Sequence, residues 1–282
     1  MQRRLWLGGI ALVLALGPGC GDVEINAPGW PGGTWPNDPP ANAVRDTSEW
    51  RGDLAPGWHI EIKSVFGNIR AVRTTGAEVV VMAIRIGGAE AVDDVRIEAV
   101  THAAGVTICA VYPDVPGQAP NACQPGLGGN MSVWDGGRGV VRVDFVVQVP
   151  EGVTFIGRTV TGTVDATGLD GNAFLHAVSG GLRVSTAGLA TATTVTGSVT
   201  ATIGLADWDR DLAFTTTVGD LDVTIPGDAN AEVWATAPSG RISTAFPLRS
   251  SVSGGMRGTI GSGGPLLRLT TVAGDITLRR GS

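Results

Sequence analysis

Residues 195–199 read VTGSV, and residues 217–221 read TVGDL. In both phrases a glycine is followed by a polar residue and then by an aliphatic one. The same pattern, with a polar or small residue after the glycine, occurs six more times: VFGNI at 65–69, VTGTV at 160–164, VSGGL at 178–182, PSGRI at 238–242, VSGGM at 252–256 and VAGDI at 272–276. A small unit that recurs in this way predicts a fold built from stacked repeats.

The glycines of these phrases are predicted to turn the chain between two short strands. A sharp change of strand direction often requires a positive φ or a close approach of two backbones, and glycine permits both because it lacks a Cβ. The predicted corner residues are Gly67, Gly162, Gly180, Gly197, Gly219, Gly240, Gly254 and Gly274.

Alternate residues on both sides of each glycine are apolar, which is the pattern of a strand with one buried face. After Gly197, for example, Val199 and Ala201 share one face, and polar residues take the other. One strand–corner–strand unit is too small to bury its apolar face alone, so neighbouring units must share a core. We therefore expect an all-β fold, a right-handed β-solenoid or β-helix-like stack of short strands with glycine corners. A rolled β-sandwich is the open alternative.

The region before the repeats, residues 58–150, is predicted to be β-rich as well and to lead into the repeats at 151–282. Its apolar stretches are predicted strands, and the second and third of them form a hairpin: 78–86, 95–103, 106–112 and 140–149. Residues 113–139 are rich in Pro and Gly and are expected to form a long loop. Because this region contains the VFGNI phrase, both parts are expected to belong to one continuous fold.

The first 19 residues have the layout of a secretory signal peptide. Arg3 and Arg4 precede an apolar core of about a dozen residues, which is too short to span a membrane. The residues around Cys20 resemble the lipobox of bacterial lipoproteins, although Gly17 occupies the place where Leu is usual. This resemblance implies that Cys20 is lipidated and anchors an exported protein in the cell envelope, in the outer rather than the inner membrane. A plain secreted protein is the alternative.

Residues 20–57 are predicted to be the lipidated cysteine and a tether. Their high content of Pro and Gly favours an extended, semi-stiff spacer. The tether and its end carry four tryptophans, Trp30, Trp35, Trp50 and Trp58. We expect some of them to dock onto the first strands, and stacking on sugar rings of the cell wall is the alternative.

The chain contains three cysteines. If Cys20 carries lipid, then Cys109 and Cys123 remain as a pair in an exported, oxidising setting, which favours a disulfide. A redox-active or metal-binding pair is the alternative, but neither a CxxC motif nor a histidine cluster accompanies these cysteines.

Composition and charge exclude several classes of function. The net charge is −6, and the 20 basic residues include a single lysine, Lys63. No basic stripe interleaved with aromatic residues is visible, so we expect neither nucleic acid nor anionic lipid headgroups as partners. Nor does the sequence contain a phosphate-binding glycine loop, an EF-hand or a GGxGxD calcium repeat. We expect no cofactor and no dedicated metal site, although corner Asp residues could hold Ca²⁺ weakly.

Some β-helix proteins are polysaccharide lyases or glycosidases, and their chemistry requires suitably spaced carboxylates. The candidate carboxylates in this chain are Asp220 and Asp222 on one strand face, Asp207, Asp209 and Asp211 around Trp208, and the weaker set Asp165 and Asp170. We expect these groups to be solvated surface charges. The histidines His59, His102 and His176 lack a GxSxG motif or a recognisable triad partner. We therefore expect no catalytic residues and no enzyme.

Three features together resemble a known bacterial family. They are the export signal, the hairpin with TICAVYP at 107–113 closed by a cysteine shortly afterwards, and the repeated SGxL and GDI phrases. From about residue 58 to residue 282 the chain resembles the "putative adhesin" family of β-strand-repeat proteins, a domain of unknown function. The resemblance implies a curled or helical stack of strands at the cell envelope and assigns no catalytic residue.

We expect an envelope-anchored protein whose β-solenoid is an adhesin-like binding or scaffold surface. Polysaccharide or an envelope protein is the expected partner, and the lipid is the contact with the membrane. The hydroxyl groups predicted to face outward are those of Thr161, Thr163, Thr196, Ser198, Thr200 and Thr202. The alternatives are a carbohydrate-active β-helix enzyme that uses the surface Asp residues, and a purely structural role.

Overall fold

The computed structural model describes residues 43–134, 136–251 and 255–281. Within these ranges the chain forms 21 strands in two large mixed sheets, together with one short helix, α1 (Ala89–Val92). The prediction of an all-β protein is confirmed. The predicted signal peptide, Cys20, Trp30, Trp35 and Gly254 lie outside the described residues.

The two sheets contain strands from both the repeat region and the region before it. From edge to edge, sheet A consists of β1 (Val44–Asp53), β4 (Glu78–Gly87), β7 (Arg142–Val149), β3 (Ile69–Arg73), β9 (Val164–Leu169), β11 (Leu182–Thr186), β13 (Val199–Ile203), β15 (Leu221–Pro226), β21 (Ile276–Gly281) and β17 (Ile242–Thr244). Sheet B consists of β18 (Arg249–Ser251), β19 (Gly255–Ile260), β16 (Ala231–Thr236), β20 (Leu266–Thr270), β14 (Leu212–Thr215), β12 (Ala190–Thr193), β10 (Ala173–Ser179), β8 (Thr154–Thr161), β2 (His59–Phe66), β6 (Gly105–Val111) and β5 (Arg96–His102).

Successive strands from β8 to β15 alternate between sheet B and sheet A. Each pairs in parallel with its neighbour in the same sheet, as β8 does with β10 and β9 with β11. We use the word rung for a sheet-B strand, its glycine corner and the sheet-A strand that follows. In spatial order the corners of the stacked rungs are Gly67, Gly162, Gly180, Gly197, Gly219, Gly274 and Gly240.

The spatial order of the rungs differs from the chain order at one end. Strands β20 and β21 lie between the rung of Gly219 and the rung of Gly240. The phrase at 252–256 does not begin a further rung, because β19 pairs antiparallel with both β16 and β18. The prediction that the strand after Gly254 continues the repeat is therefore wrong. A glycine-rich phrase suits a hairpin connection as well as a corner, so the sequence alone does not separate the two.

The residue two positions after each corner glycine forms one buried column across sheet A. Val164 lies opposite Leu182, and Leu182 opposite Val199. The fully buried members, each at most 2% exposed, are Ile69, Val164, Leu182, Val199, Leu221 and Ile276. Ile242, on the edge strand β17, is partly buried against the same core. Burying each such side chain contributes about 1.5–3 kcal/mol relative to leaving it in water.

Gly180 illustrates why the corner requires glycine. Its φ is +149°, and an added Cβ would lie 1.8 Å from the carbonyl oxygen of Gly162 on the neighbouring rung. The obstructing atom belongs to the backbone, so it cannot move aside as a flexible side chain would. Similar approaches, with a backbone oxygen at 1.8–2.2 Å from the added Cβ, occur at Gly67, Gly162, Gly197, Gly219, Gly240 and Gly274.

A buried threonine accompanies several of these glycines, three residues before the corner. The hydroxyl of Thr216 donates to the carbonyl of Gly197 (2.8 Å), and that of Thr271 donates to the carbonyl of Gly219 (2.8 Å). Thr159 and Thr194 bond to glycine carbonyls in the same way, and all four threonines are at most 5% exposed. A hydroxyl buried without a partner would cost about 1–3 kcal/mol, so this bond makes threonine compatible with the core.

Strand β1 lies within the segment that the sequence predicts to be a tether. It pairs antiparallel with β4 along its whole length, and Trp50 packs against the core. The prediction of a spacer up to residue 57 is therefore wrong for Val44–Asp53. This segment is polar and charged because it forms the edge of sheet A, where such residues discourage pairing with another chain. Trp58, beyond it, is 37% exposed.

The predicted hairpin consists of β5 and β6, which pair antiparallel from Arg96 opposite Val111 to His102 opposite Gly105. The predicted disulfide between Cys109 and Cys123 is confirmed, with a Cα–Cα distance of 5.6 Å. It joins β6 to the long loop that follows, which contains no strand among its described residues.

The corner geometry predicts opposite results for two adjacent glycines. We expect Gly180→Ala to lower the free energy of unfolding by about 2–4 kcal/mol, because the strained φ alone costs about 1–3 kcal/mol and the added Cβ meets backbone. Gly181→Ala is the matched control, since its Cβ would lie 3.6 Å from its nearest neighbour, the Ser198 carbonyl. It should remain within about 1 kcal/mol of the wild type. Urea unfolding of both variants measures the difference, and equal losses would contradict the corner assignment.

Candidate functional site

The outer face of sheet B carries two separate groups of polar side chains. Because side chains alternate along a strand, Ile60 and Ile62 of β2 face the core, whereas Glu61 and Lys63 face outward. The same alternation buries Val233 and Ala235 of β16 and leaves Trp234 outside. The first group lies under the long loop after β6, and the second is open to solvent.

The first group is centred on Glu61, which is 0% exposed. Its Oε1 accepts a hydrogen bond from Arg158 (2.7 Å), and its Oε2 accepts from the Thr107 hydroxyl (2.9 Å) and from the Gly126 N–H (2.8 Å). Burial raises the pKa of the Glu61 carboxyl, but the bonds from Gly126, Arg158 and Thr107 outweigh burial and hold the pKa below its ordinary value. Glu61 is thus a buried anion that fixes the loop over the sheet.

Lys63 fixes the same loop from the next outward position of β2. Its ammonium group donates to the carbonyls of Gln124 (3.0 Å) and Gly128 (2.7 Å). Burial lowers the pKa of Lys63, while the charge of Glu61 opposes that shift. Together with the disulfide at Cys123, these bonds clamp the loop onto β2 and β6.

The histidines border this group. The rings of His59 and His102 lie 5.0 Å apart, and His176 lies opposite Arg158 in the parallel register. Burial lowers the pKa of both His59 and His176. Electrostatic interaction with His102 lowers the pKa of His59 further, and interaction with Arg158 lowers that of His176 further. Nε2 of His102 is 3.3 Å from the Thr107 hydroxyl, but Thr107 is fully buried and bonded to Glu61, so a substrate has no access to it.

The candidate carboxylates Asp220 and Asp222 have separate structural partners. Asp222 forms a bidentate ion pair with Arg279 on the neighbouring strand (2.8 and 2.7 Å). Asp220 accepts a hydrogen bond from the backbone N–H of Asp275 (2.8 Å). Asp275 in turn accepts one from the N–H of Arg241 (2.8 Å). At four corners the side chain of the residue after the glycine therefore caps the next rung by accepting one of its backbone N–H groups: Asn68, Ser198, Asp220 and Asp275.

The remaining candidate carboxylates also contact neighbouring structure. Their partners are the Asn230 amide for Asp207 (2.8 Å), the Leu266 N–H for Asp211 (2.8 Å), Arg210 for the exposed Asp209 (3.4 Å), Arg183 for Asp165 (3.5 Å) and Arg73 for Asp170 (2.7 Å). Trp208, in the middle of the Asp207–Asp211 segment, is buried in the core. This segment connects β13 to β14 and is tied down at both ends.

The hydroxyls predicted to face outward do not form one surface. Thr200 and Thr202 are exposed on sheet A, and Thr161 and Thr196 are exposed at the corner. Thr163 and Ser198 follow corner glycines and take part in bonds between rungs. Thr163 donates from its N–H and its hydroxyl to the Asn68 side chain. The Ser198 hydroxyl accepts a hydrogen bond from the N–H of Asp220. Five of the six residues are exposed as predicted, and Thr163 is partly buried. The expectation that they share one hydroxyl-rich face is wrong, because a corner redirects the chain and alternation does not continue through it.

The second group on sheet B consists of three arginines and a tryptophan on adjacent strands. Arg249 lies opposite Arg257, Arg257 opposite Trp234, and Trp234 opposite Arg268; we call these four residues the Arg–Trp row. Trp234 is 39% exposed. The guanidinium of Arg257 lies 4.1 Å from the centre of the indole ring, and that of Arg268 lies 5.6 Å from it. Such contacts are worth about 0.5–1 kcal/mol at exposed sites.

The arginines of this row have no ion-pair partner among the described residues. The nearest carboxylate along β16, that of Glu232, accepts a hydrogen bond from Thr259 instead (2.7 Å). This row is not visible as a motif in the sequence because its members are far apart in the chain. An outward tryptophan in the alternating segment AEVWAT was the available signal.

A second row of hydroxyls runs beside the Arg–Trp row, two residues further along the strands. Its members, in order of pairing, are Thr193, Thr215, Thr270, Thr236 and, across Gly255, Ser251. All five are partly exposed. The outer face of sheet B therefore places hydroxyl groups next to guanidinium groups that form no ion pair with any described residue.

In the part of the chain that the structure describes, no group of three or more His, Cys, Asp or Glu side chains is placed to hold a metal ion. The same residues contain no helix that is long and apolar enough to cross a membrane.

The pKa of Glu61 predicts a pH-dependent stability. Its folded-state pKa lies below the ordinary value of 4.5, so the carboxylate stabilises the fold above that pH and loses this contribution as the pH falls through the folded pKa. We expect Glu61→Gln to lower the free energy of unfolding by about 1.5–3 kcal/mol at pH 7, with a smaller difference below about pH 4. Glu151→Gln, at an exposed residue, is the control. A loss that stays constant from pH 7 to pH 3 would contradict the role of the charge.

No family model matches the chain, and no curated protein matches it significantly. Three solved bacterial structures do. A "putative cell adhesion protein" from Clostridium sporogenes is 12% identical, with a TM-score of 0.44 over 84% of this chain and 100% of that one. A "putative adhesin" from Bacteroides fragilis is 10% identical, with a TM-score of 0.34 over 86% and 99%. A "putative adhesin" from Parabacteroides distasonis is 8% identical, with a TM-score of 0.23 over 82% and 97%. The descriptions of all three name a "putative adhesin" or a "putative cell adhesion protein".

Proposed function

We propose that this protein is an exported lipoprotein, anchored through Cys20, whose folded part is a two-sheeted β-solenoid that acts as an adhesin-like binding surface. The signal-like N-terminus and the lipobox-like residues before Cys20 support export and lipidation. The alternation of strands between the sheets, with parallel pairing from rung to rung, supports a solenoid.

The Arg–Trp row carries the proposal of a binding surface. A large aromatic side chain exposed on a flat sheet face contributes binding energy when a ligand covers it, and Trp and Arg dominate the energetics of many interfaces. Trp234 is 39% exposed, although the same strand buries its neighbours on both sides. The cation–π contacts of its ring with described residues are those with Arg257 and Arg268 on the same outer face.

We propose a non-catalytic role because the candidate carboxylates serve the fold. Asp222 is paired with Arg279, Asp220 caps the next rung, and Asp211 holds the N–H of Leu266. The buried Glu61 has three hydrogen-bond donors and no exposed surface. A general acid or base requires a proton-transfer path to substrate, which the buried Glu61 lacks, and each of the three Asp carboxylates is engaged by a structural donor.

Lipidation is tested in the bacterium that produces the protein. We expect a palmitate analogue to label the full chain, the protein to sediment with the membrane fraction, and Cys20→Ser to abolish both. Cys109→Ser is the matched control, because it removes a different cysteine and should leave the label in place. A labelled Cys20→Ser variant would contradict the anchor.

Binding is tested with the full chain held on supported vesicles through its own anchor. We expect saturable binding of at least one fraction among acidic polysaccharides, neutral polysaccharides and envelope proteins. Vesicles without the protein are the control, and the absence of saturable binding with every fraction would contradict a binding role. Reducing or unsaturated sugars released by the wild type, but not by Asp220→Asn or Asp222→Asn, would instead support the carbohydrate-active enzyme.

A further inference from the structure

We propose that the Arg–Trp row is a subsite for an acidic polysaccharide, whose uronic acid carboxylates are held by the arginines. This inference rests on the proposed binding function and names its ligand class. The chemistry comes from Arg249, Arg257, Trp234 and Arg268, which occupy paired positions on four adjacent strands.

The spacing of the row suits a linear ligand. Adjacent strands are about 4.8 Å apart, so the outer arginines, three strands from each other, are separated by roughly 14 Å at the backbone. A sugar unit in an extended chain has about the length of one strand spacing. The row therefore has the length of a short run of sugars lying across the strands, with cationic groups on both sides of Trp234.

The charge of the row points to an anion. Three exposed arginines without an ion-pair partner among the described residues lie together in a chain whose net charge is −6. Like charges on neighbouring strands repel one another, and a bound anion would relieve that repulsion. Arginine binds carboxylates through two parallel N–H bonds, which suits the acid group of a uronic acid.

Trp234 has two roles in the proposed subsite: it orients the guanidinium of Arg257, and it offers an apolar surface to a sugar ring. A guanidinium stacked on an aromatic ring uses its flat face and leaves its N–H donors, which lie in its plane, free to bind a ligand. Arg257 stands in this relation to Trp234, with 4.1 Å between the guanidinium carbon and the ring centre. The part of the indole that remains exposed is an apolar platform for the C–H face of a sugar ring.

The neighbouring hydroxyl row supplies the polar contacts that sugars require. Thr236 and Thr270 lie two residues from Trp234 and Arg268 on the same faces of β16 and β20, opposite each other. Thr215 and Thr193 continue this row along the sheet. A hydroxyl both donates and accepts hydrogen bonds, so it pairs with sugar hydroxyls in either role.

A thread-like polyanion fits this molecule better than an extended anionic surface. A membrane would face the rest of the protein as well as the three arginines, and the net charge of −6 opposes that contact. A single polysaccharide chain touches the row alone. Anionic membranes are therefore a competing outcome of the experiment and not the ligand we propose.

The experiment uses the full chain on supported neutral vesicles and alginate oligomers, a linear polyuronate, as the probe. We expect saturable binding that weakens when the ionic strength rises from about 0.05 M to about 0.5 M, because salt screens exposed charges. Trp234→Ala and Arg257→Gln should each weaken binding by about tenfold or more, as is common for central Trp and Arg contacts. Carboxyl-reduced alginate should bind at least about tenfold more weakly to the wild type.

The control variants are Trp134→Ala and Arg45→Gln. Trp134 is 43% exposed, close to the value for Trp234, and Arg45 is exposed at the edge of sheet A. Both should bind alginate like the wild type, and unfolding in urea establishes that all four variants are folded. Equal binding by Trp234→Ala, Arg257→Gln and the wild type, or equal affinity for reduced alginate, would overturn the inference. So would tighter binding to phosphatidylglycerol vesicles than to alginate.

The outcome separates this inference from the proposed function. If another envelope fraction binds saturably but alginate does not, the binding role stands and the acidic polysaccharide is wrong. If no fraction binds at all, both are wrong.

Discussion

The contact between backbones at the glycine corners is the constraint on which the rest of the fold depends. At each corner the Cα of the glycine lies so close to a backbone carbonyl of the adjacent segment that a single methyl group would overlap with it. This approach lets parallel strands of adjacent rungs keep their hydrogen bonds on both sides of the turn. Buried threonine hydroxyls bond to carbonyls of the same column. A substitution at one rung is therefore expected to destabilise the neighbouring rungs as well, because no rung has a core of its own.

The glycine corners and the inward-facing aliphatic side chains build the core. The outward-facing side chains do not contribute to that core, and they differ between the two sheets. On sheet A they carry ion pairs such as Asp222 with Arg279. On sheet B they carry a buried charged group under the disulfide-linked loop and, further along, the Arg–Trp row. In the first group Glu61 accepts three internal hydrogen bonds and Lys63 donates two, whereas the arginines of the second group form no ion pair with a described residue. Both groups carry charged side chains. The Arg–Trp row differs from the group around Glu61 because its arginines are exposed to solvent, and this difference makes the row the candidate surface for a ligand.

The local pattern of the sequence was sufficient to predict much of the fold. The spacing of glycine and aliphatic residues predicted the corners and the buried column, and three cysteines predicted the disulfide. Other features depend on contacts between distant segments. The placement of β20 and β21 between earlier rungs, the loop over Glu61, and the pairing of Arg257 with Trp234 all join residues that are distant in sequence. Strand β1 was missed for another reason, because an exposed edge strand has the composition of a linker.

Amide hydrogen exchange at the corners tests the central claim most directly. The N–H groups of Gly162, Gly180, Gly197 and Gly219 donate to carbonyls of the next rung at 2.8–2.9 Å. If the corners hold the stack together, these amides should exchange as slowly as those in the centres of the strands, through global unfolding alone. Exchange as fast as that of the loop residue Leu127, which is 90% exposed, would show that the corners open independently and would contradict the account.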